Sequence, residues 1–241
     1  MAVPALLQAA GQVVLVAGAA GGIGRATAQI FSLAGAKVVA FDRVAASGDL
    51  LITGDATLEQ DVNLAVQRSV EHFGRLDYIV NTVGVTGAGS LAEMSTQEWQ
   101  RILGINLTSA FLLTRAAFPH LALKRGAVVL MGSTNGRNGG SAVSGAAYAV
   151  AKAGIRNLTR YLAKEWAPSG VRVNCVEPGP VATPMLDRLD AQAHQALLAA
   201  IPLQRYASAE EVAGAIAFLC SAHAASMTGT SLNISGGMLL D

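Results

Sequence analysis

Tyr148 and Lys152, in the run Tyr148-Ala-Val-Ala-Lys152, stand four positions apart, which places both side chains on one face of a helix, one turn from each other. A free phenol titrates near ~10 and is a poor base at neutral pH. An ammonium group at this spacing favours the phenolate and lowers that value, so the pair can exchange a proton with a hydroxyl or carbonyl oxygen. A lone tyrosine–lysine pair is common. This one opens a helical stretch after a strand-like run that ends at Gly132-Ser133, in a chain with a glycine-rich turn near its start.

That turn, Ala17-Gly18-Ala19-Ala20-Gly21-Gly22-Ile23-Gly24, lies between a short β-branched run and a helical stretch. A tight turn, a close approach of backbone to a pyrophosphate and a helix N-terminus aimed at the anion all demand residues without a Cβ. The spacing Gly18-x3-Gly22-x-Gly24 departs from the commoner G-x-G-x-x-G, so the placement after a buried strand carries the phosphate reading. Asp42 closes the second strand, where a carboxylate accepts hydrogen bonds from a ribose diol and repels a 2′-phosphate, which favours NAD over NADP. Arg43 beside it can hold a 2′-phosphate and argues the other way; the carboxylate is given the greater weight. Asp55 either reaches an adenine edge or shapes the turn ahead of the next helix.

Strand and helix signals alternate around these residues. Val13–Ala17, 37–41, 51–52, 76–81, Ala127–Met131, 171–176 and Ser231–Ile234 read as strands. Helices are predicted after the glycine turn to about Ala34, with Gly35 as the stop, and over 58–73, 96–124, 146–167 and 209–221, the third bent or broken near Pro119. Such alternation implies a parallel sheet covered on both faces, each crossover carrying a helix. The expectation is an α/β chain with one domain over 1–241: a doubly wound parallel sheet, or Rossmann fold, in three α/β/α layers. The irregular stretch 179–203, with three prolines and a weak helical pattern, reads as a lid over a binding crevice.

Composition narrows the classes. Hydrophobic residues make up 52% and charged residues 14%, a balance that suits a buried parallel sheet and an oligomer. A net charge of +1 without a basic cluster argues against nucleic-acid binding. No apolar run reaches the roughly 20 residues of a membrane span, and 1–12 lacks a cationic leader, so a cytoplasmic protein is expected. Cys175 and Cys220 fall in apolar segments and read as buried reduced thiols. His72, His120, His194 and His223 lack metal-ligand spacing, so no metal site is expected.

Taken together, these motifs resemble the short-chain dehydrogenases/reductases, nearly end to end. Ala17 to Gly24 matches the family's T-G-x3-G-x-G with alanine for threonine, and Asn81-Thr82-Val83-Gly84 matches its N-N-A-G. Asn106, Ser133, Tyr148 and Lys152 match its helix asparagine, serine, tyrosine and lysine; Asn174, Pro178, Gly179 and Thr183 match the N-x-x-x-P-G stretch and following threonine. The tail Met227-Thr228-Gly229 through Ser235-Gly236-Gly237 is also family-like. The resemblance implies that Tyr148 donates or abstracts the hydroxyl proton while Lys152 lowers its pKa and holds the nicotinamide ribose. It implies that Ser133 steadies the substrate oxygen and that Asn106 carries a water-linked proton path to Lys152. Asn81 and Gly84 would border the adenosine side, and Pro178, Gly179, Val181 and Thr183 the carboxamide. Gly18, Gly22, Ile23, Gly24, Asp42, Arg43, Asp55 and Ala56 complete the expected cofactor set. Asn135 and Met185 join Ser133 and Tyr148 on the substrate side.

Three departures stand out. The interval from Ser133 to Tyr148 is two residues longer than the family's, so the loop 136–147 is enlarged and Thr134, Asn135, Ser141 or Ser144 compete for the serine's role; Ser133 is preferred because it directly ends its strand. Asp42 and Asp55 are too close for a helix between them, so that crossover is a loop. Ala17 removes a hydroxyl that would brace the turn.

The reading is an NAD-dependent oxidoreductase moving a hydride between a nicotinamide and a secondary alcohol or ketone. The alternative is a 3-oxoacyl thioester reductase, for which NADPH would be expected and Asp42 is an obstacle. An NAD-binding scaffold without catalysis is disfavoured because no proton-transfer residue is lost, and an enoyl reductase because its tyrosine and lysine lie further apart. Pocket shape depends on Val85, Thr86, Asn135, Val143, Pro180 and Met185, whose polar and apolar hints conflict. The resemblance implies that helices 96–124 and 146–167, rich in apolar and small residues, pair across a two-fold axis in a homotetramer or homodimer.

Overall fold

In the computed structural model, residues 8–141, 143–187 and 189–240 are described. Seven strands, β1 (Val13–Ala17), β2 (Lys37–Asp42), β3 (Leu50–Thr53), β4 (Tyr78–Asn81), β5 (Ala127–Met131), β6 (Arg172–Pro178) and β7 (Ser231–Ile234), form one sheet in the order β3-β2-β1-β4-β5-β6-β7. Every pairing is parallel. The apolar runs are unbroken because both faces are buried. Val13, Leu15 and Ala17 face one core with Val39, Phe41 and Leu130; Val14 and Val16 face another with Val38, Ala40 and Val80.

Helices α1 (Gly22–Leu33), α2 (Glu59–Phe73), α3 (Thr96–Leu103), α4 (Ser109–Lys124), α5 (Asn135–Asn138), α6 (Ala146–Trp166), α7 (Ala191–Ala199) and α8 (Ala209–Cys220) complete the three layers. Phe31 of α1 and Val212 and Ile216 of α8 cover one face, while Val62, Leu113, Leu121 and Ile155 of α2, α4 and α6 cover the other. The strand order reverses between β1 and β4, which opens a crevice at the carboxyl ends of the strands.

Gly35 stops α1 as expected, at φ +83°. The β2–β3 connection is the expected loop; Asp49 closes it by accepting from Lys37 Nζ at 2.8 Å and from the Val38 amide at 2.9 Å. Strand and helix ends differ from the sequence reading by one or two residues, the usual uncertainty where termini fray.

The long stretch Thr96–Lys124 does not break at Pro119, which sits inside α4. It breaks earlier, at a single wide π-helical turn over Gly104–Thr108. Core packing of Leu113, Ala117 and Leu121 keeps α4 helical through the proline, whereas the wide turn serves Asn106, as described below. By length and hydropathy alone this stretch could cross a membrane, but Ile102, Leu112, Leu113, Ala117 and Leu121 are buried in the core. Cys175 and Cys220 are buried free thiols, pushed by desolvation up to about 11 and about 12 and so held as unreactive S–H groups.

Candidate active site

The glycine turn follows β1 directly. Gly18 adopts φ +79°, which only glycine takes without strain, and its amide donates to the Phe41 carbonyl at 2.9 Å. A Cβ on Gly24 would overlap the Gly18 carbonyl oxygen, and one on Gly22 would stand 2.6 Å from Thr183 Cγ2. Helix α1 is preceded by Gly21, which offers no side-chain cap, and has no acidic residue in its first turn, so its leading amides stay available to an anion. Asp42 reaches into the same turn: its Oδ2 accepts from the Ala20 amide at 3.0 Å and its Oδ1 from the Arg43 amide at 2.7 Å. The residues present fit a dinucleotide: the glycines and the free amides of α1 would take its phosphates, and Asp42 would take a ribose diol.

Asp55 is committed to a turn. Its Oδ1 accepts from both the amide and the hydroxyl of Thr57 at 2.8 Å, and the helix cap is Leu58, not Asp55. Ala56 is packed into the core. Asn81 is buried at the end of β4, where its Oδ1 accepts from the Val83 amide at 3.0 Å.

A cavity of about 430 Å³ opens beside this turn. Ile23, Gly84, Pro178, Gly179, Val181 and Thr183 line its cofactor side, and Ser133, Asn135, Tyr148, Lys152 and Met185 its chemical side. Thr86, Val143 and Pro180 also line it; Val85 does not. The stretch 179–203 contributes to its wall through a short 3₁₀ turn, Pro184–Leu186, and through Ala193, Ala196 and Leu197 of α7. Gly18, Gly22, Gly24, Asp42, Arg43, Asp55, Ala56, Asn81 and Asn106 are not part of the wall of this cavity.

Tyr148 sits in the first turn of α6, and Lys152 one turn later is fully buried beneath it, Nζ 5.5 Å from the tyrosine ring centroid. Lys152 Nζ donates to the Met131 carbonyl at 2.8 Å, and burial lowers its ammonium to about 8. The group therefore stays largely charged near neutrality. Asn106 explains the wide turn: its Nδ2 donates to the carbonyls of Ile102 and Val85 at 2.9 and 2.8 Å, and its Oδ1 accepts from the Val85 amide at 3.3 Å. A Cβ on Gly84 would lie 3.0 Å from Asn106 Oδ1 and 3.5 Å from Lys152 Nζ, so glycine keeps the space between those two groups open.

Ser133 accepts from the Asn135 amide at 3.2 Å, which leaves its hydroxyl hydrogen for a substrate oxygen. Its competitors are engaged differently. Ser144 Oγ accepts from the Ser141 amide at 3.1 Å and donates to the Ser141 carbonyl at 3.2 Å, closing the enlarged loop on itself. Sequence reasoning missed Thr82, whose Oγ1 donates to the Ala17 carbonyl at 2.8 Å, and the one-turn helix α5. A threonine in a motif expected to hold asparagine was the available signal for the first; four residues of Asn-Gly-Arg-Asn offered none for the second.

A family profile described as enoyl-(acyl carrier protein) reductase matches residues 18–239. Among curated proteins, a 3-oxoacyl-[acyl-carrier-protein] reductase of Thermotoga maritima is 34% identical over 95% of this chain and 98% of its own length. The one from Vibrio cholerae is 37% identical over 95% and 98%. Among solved structures, a short-chain dehydrogenase/reductase described as glucose/ribitol dehydrogenase, from Brucella melitensis, superposes with TM-score 0.90 at 32% identity, covering 98% of this chain and 99% of that one. The aldohexose dehydrogenase of Thermoplasma acidophilum gives TM-score 0.87 at 29% identity over 94% and 93%.

Proposed function

The chain belongs to the short-chain dehydrogenase/reductase family, and from that premise we propose that it interconverts a secondary alcohol and its ketone with NAD(H), using Tyr148 as the acid/base. The observation that carries this reading is the convergence of Ser133, Tyr148 and Lys152 on one cavity that runs on to the glycine turn and Thr183.

A nicotinamide cofactor, when bound, supplies the hydride acceptor or donor. The chain supplies the rest. Tyr148 gives its proton to the carbonyl oxygen in reduction and takes it from the hydroxyl in oxidation. Lys152, charged below about 8 and close under the ring, favours the phenolate that either direction requires. Ser133 donates to the same oxygen and stabilises the charge that develops there. Asn106, bonded to the Val85 backbone and facing Lys152 across Gly84, would carry a water-linked proton path to the ammonium. Asp42, at the end of β2, supports NAD over NADP because its carboxylate faces the ribose edge where a 2′-phosphate would bring like charge.

A second reading, reduction of a 3-oxoacyl thioester, is favoured by the names of the curated relatives and by the apolar lid wall of Met185, Leu186, Leu189 and Leu197. It is a narrower case of the same chemistry. We further take the enzyme to be a cytoplasmic homotetramer or homodimer paired through α4 and α6, whose Phe111, Val150 and Tyr161 stay 44%, 48% and 62% exposed in the single chain.

The test is turnover of NADH and NADPH with a panel of ketones and an acetoacetyl thioester, in the parent and in Tyr148→Phe. The variant should lose on the order of 10²–10⁴ in kcat while binding NADH as before. Full activity without the phenol would remove the mechanism, and a thioester preferred over every free ketone would select the second reading.

A further inference from the structure

Glu177, the last residue before Pro178 in β6, is 0% exposed, and nothing in the chemistry above uses it. Its carboxylate lies 3.5 Å from Arg156 Nε on α6 and 3.8 Å from an Arg137 guanidinium nitrogen on α5. Gly132 makes the room, since a Cβ there would stand 2.9 Å from Glu177 Cγ. A buried carboxylate is costly unless matched, and removing one partner leaves the others uncompensated. The three charges come from the three elements that frame the chemistry: the strand leading into Pro178 and Gly179, the turn of helix that follows Ser133, and the helix that carries Tyr148 and Lys152.

Helix α5 cannot hold itself. It is a single turn of Asn-Gly-Arg-Asn, too short to be stable alone, and its two asparagines and its glycine are poor helix formers. Yet it is pressed onto α6 so tightly that a Cβ on Gly136 would stand 2.6 Å from the Lys152 carbonyl carbon. Its first amide, from Asn135, is the group that fixes Ser133 Oγ. We propose that Glu177, Arg137 and Arg156 form a positioning cluster that clamps α5 to α6 and thereby sets the direction of the Ser133 hydroxyl relative to Tyr148. None of the three touches the reacting atoms. The inference rests on the reading of Ser133 as the donor to the substrate oxygen.

The experiment is a kinetic double-mutant cycle of Arg137→Gln with Ser133→Ala, read as kcat, KM and the NADH dissociation constant. Arg137→Gln should lower kcat about tenfold, because small displacements of a catalytic donor are amplified in rate, and leave NADH binding within about twofold. In the Ser133→Ala background the same change should lower kcat less than about twofold. Arg137→Lys, which keeps the charge, should recover most of the loss. Arg156→Gln strips the same carboxylate from the other side, must show the same pattern, and serves if Arg137→Gln does not fold. Equal factors in both backgrounds would overturn the clamp and leave the proposed function standing. Full turnover by Ser133→Ala itself would remove the serine's role and this inference together.

Discussion

Replacing Lys152 with methionine should destroy turnover and, below pH 8, make the protein more stable. Lys152 is 2% exposed, and its burial lowers the ammonium from 10.5 to about 8. That shift corresponds to about 3 kcal/mol of penalty for keeping the charge in the folded chain. The penalty is fully present below pH 8, where both folded and unfolded chains are protonated. Between 8 and 10.5 the folded chain loses its proton first, so the stability of the parent rises with pH across that window. Methionine fills much of the same space without the charge but gives up the charge-assisted Nζ bond to the Met131 carbonyl at 2.8 Å, a loss of about 2 kcal/mol. The balance at pH 6.5 is a gain of about 1 kcal/mol, or about 2–4 °C in Tm for a chain of this size. At pH 9.5 the remaining penalty is about 1 kcal/mol and the gain vanishes. Thermal unfolding without cofactor at the two pH values, alongside an activity assay, measures both effects. A lower Tm at pH 6.5, or an offset of equal size at both pH values, would refute the claim that a desolvated charge is held at this site.

Two further substitutions probe the cofactor end. Gly24→Ala sets a methyl group against the Gly18 carbonyl, a clash with backbone that only movement of the turn relieves; NADH affinity measured by titration calorimetry should fall at least about tenfold, with about 1–3 kcal/mol of stability lost, and unchanged affinity would dismiss the cradle. Asp42→Ala, with Arg43 retained, should raise the ratio of kcat/KM for NADPH over NADH by about tenfold, equivalent to about 1.4 kcal/mol; a constant ratio would show that the carboxylate does not select the cofactor.

The layered sheet was legible because burial on both faces forces unbroken apolar strands, and Val13–Ala17 and Ala127–Met131 announce themselves that way. Tyr148 and Lys152 were legible because their chemistry depends on a helical spacing that sequence displays directly. What sequence could not display is competition between distant parts. Pro119 looked like the break in its helix, but the core contacts of Leu113 and Leu121 outweigh one missing amide. The real interruption at Gly104–Thr108 depends on Asn106 finding the backbone of Val85, 21 positions away. Asp55 was ambiguous for the same reason, and its turn with Thr57 emerges only once the β3–α2 connection is in place. Glu177 lies just past the strand read over 171–176 and shows no sign of its role in sequence; its two arginines come from elements that meet it only in the fold.

Ala17 shows how such distant parts compensate one another. A hydroxyl at this position would brace the glycine turn, and its loss would leave the Ala17 and Gly18 carbonyls without that support. Thr82, on the loop after β4, supplies the hydroxyl from the other side: Oγ1 donates to the Ala17 carbonyl at 2.8 Å and lies 3.2 Å from the Gly18 oxygen. Thr82 Oγ1 stands 2.7 Å from where a Cβ on Gly18 would be and 2.8 Å from one on Gly24. The two glycines are thus required by the brace as well as by an approaching phosphate. The brace also ties the two ends of the site together, because three residues beyond Thr82 the same segment is gripped at Val85 by Asn106, which faces Lys152 across Gly84. The glycine turn and the Lys152 ammonium are therefore joined through one short stretch of backbone from Thr82 to Val85, and the Thr82 hydroxyl is the link that braces the turn where Ala17 has none.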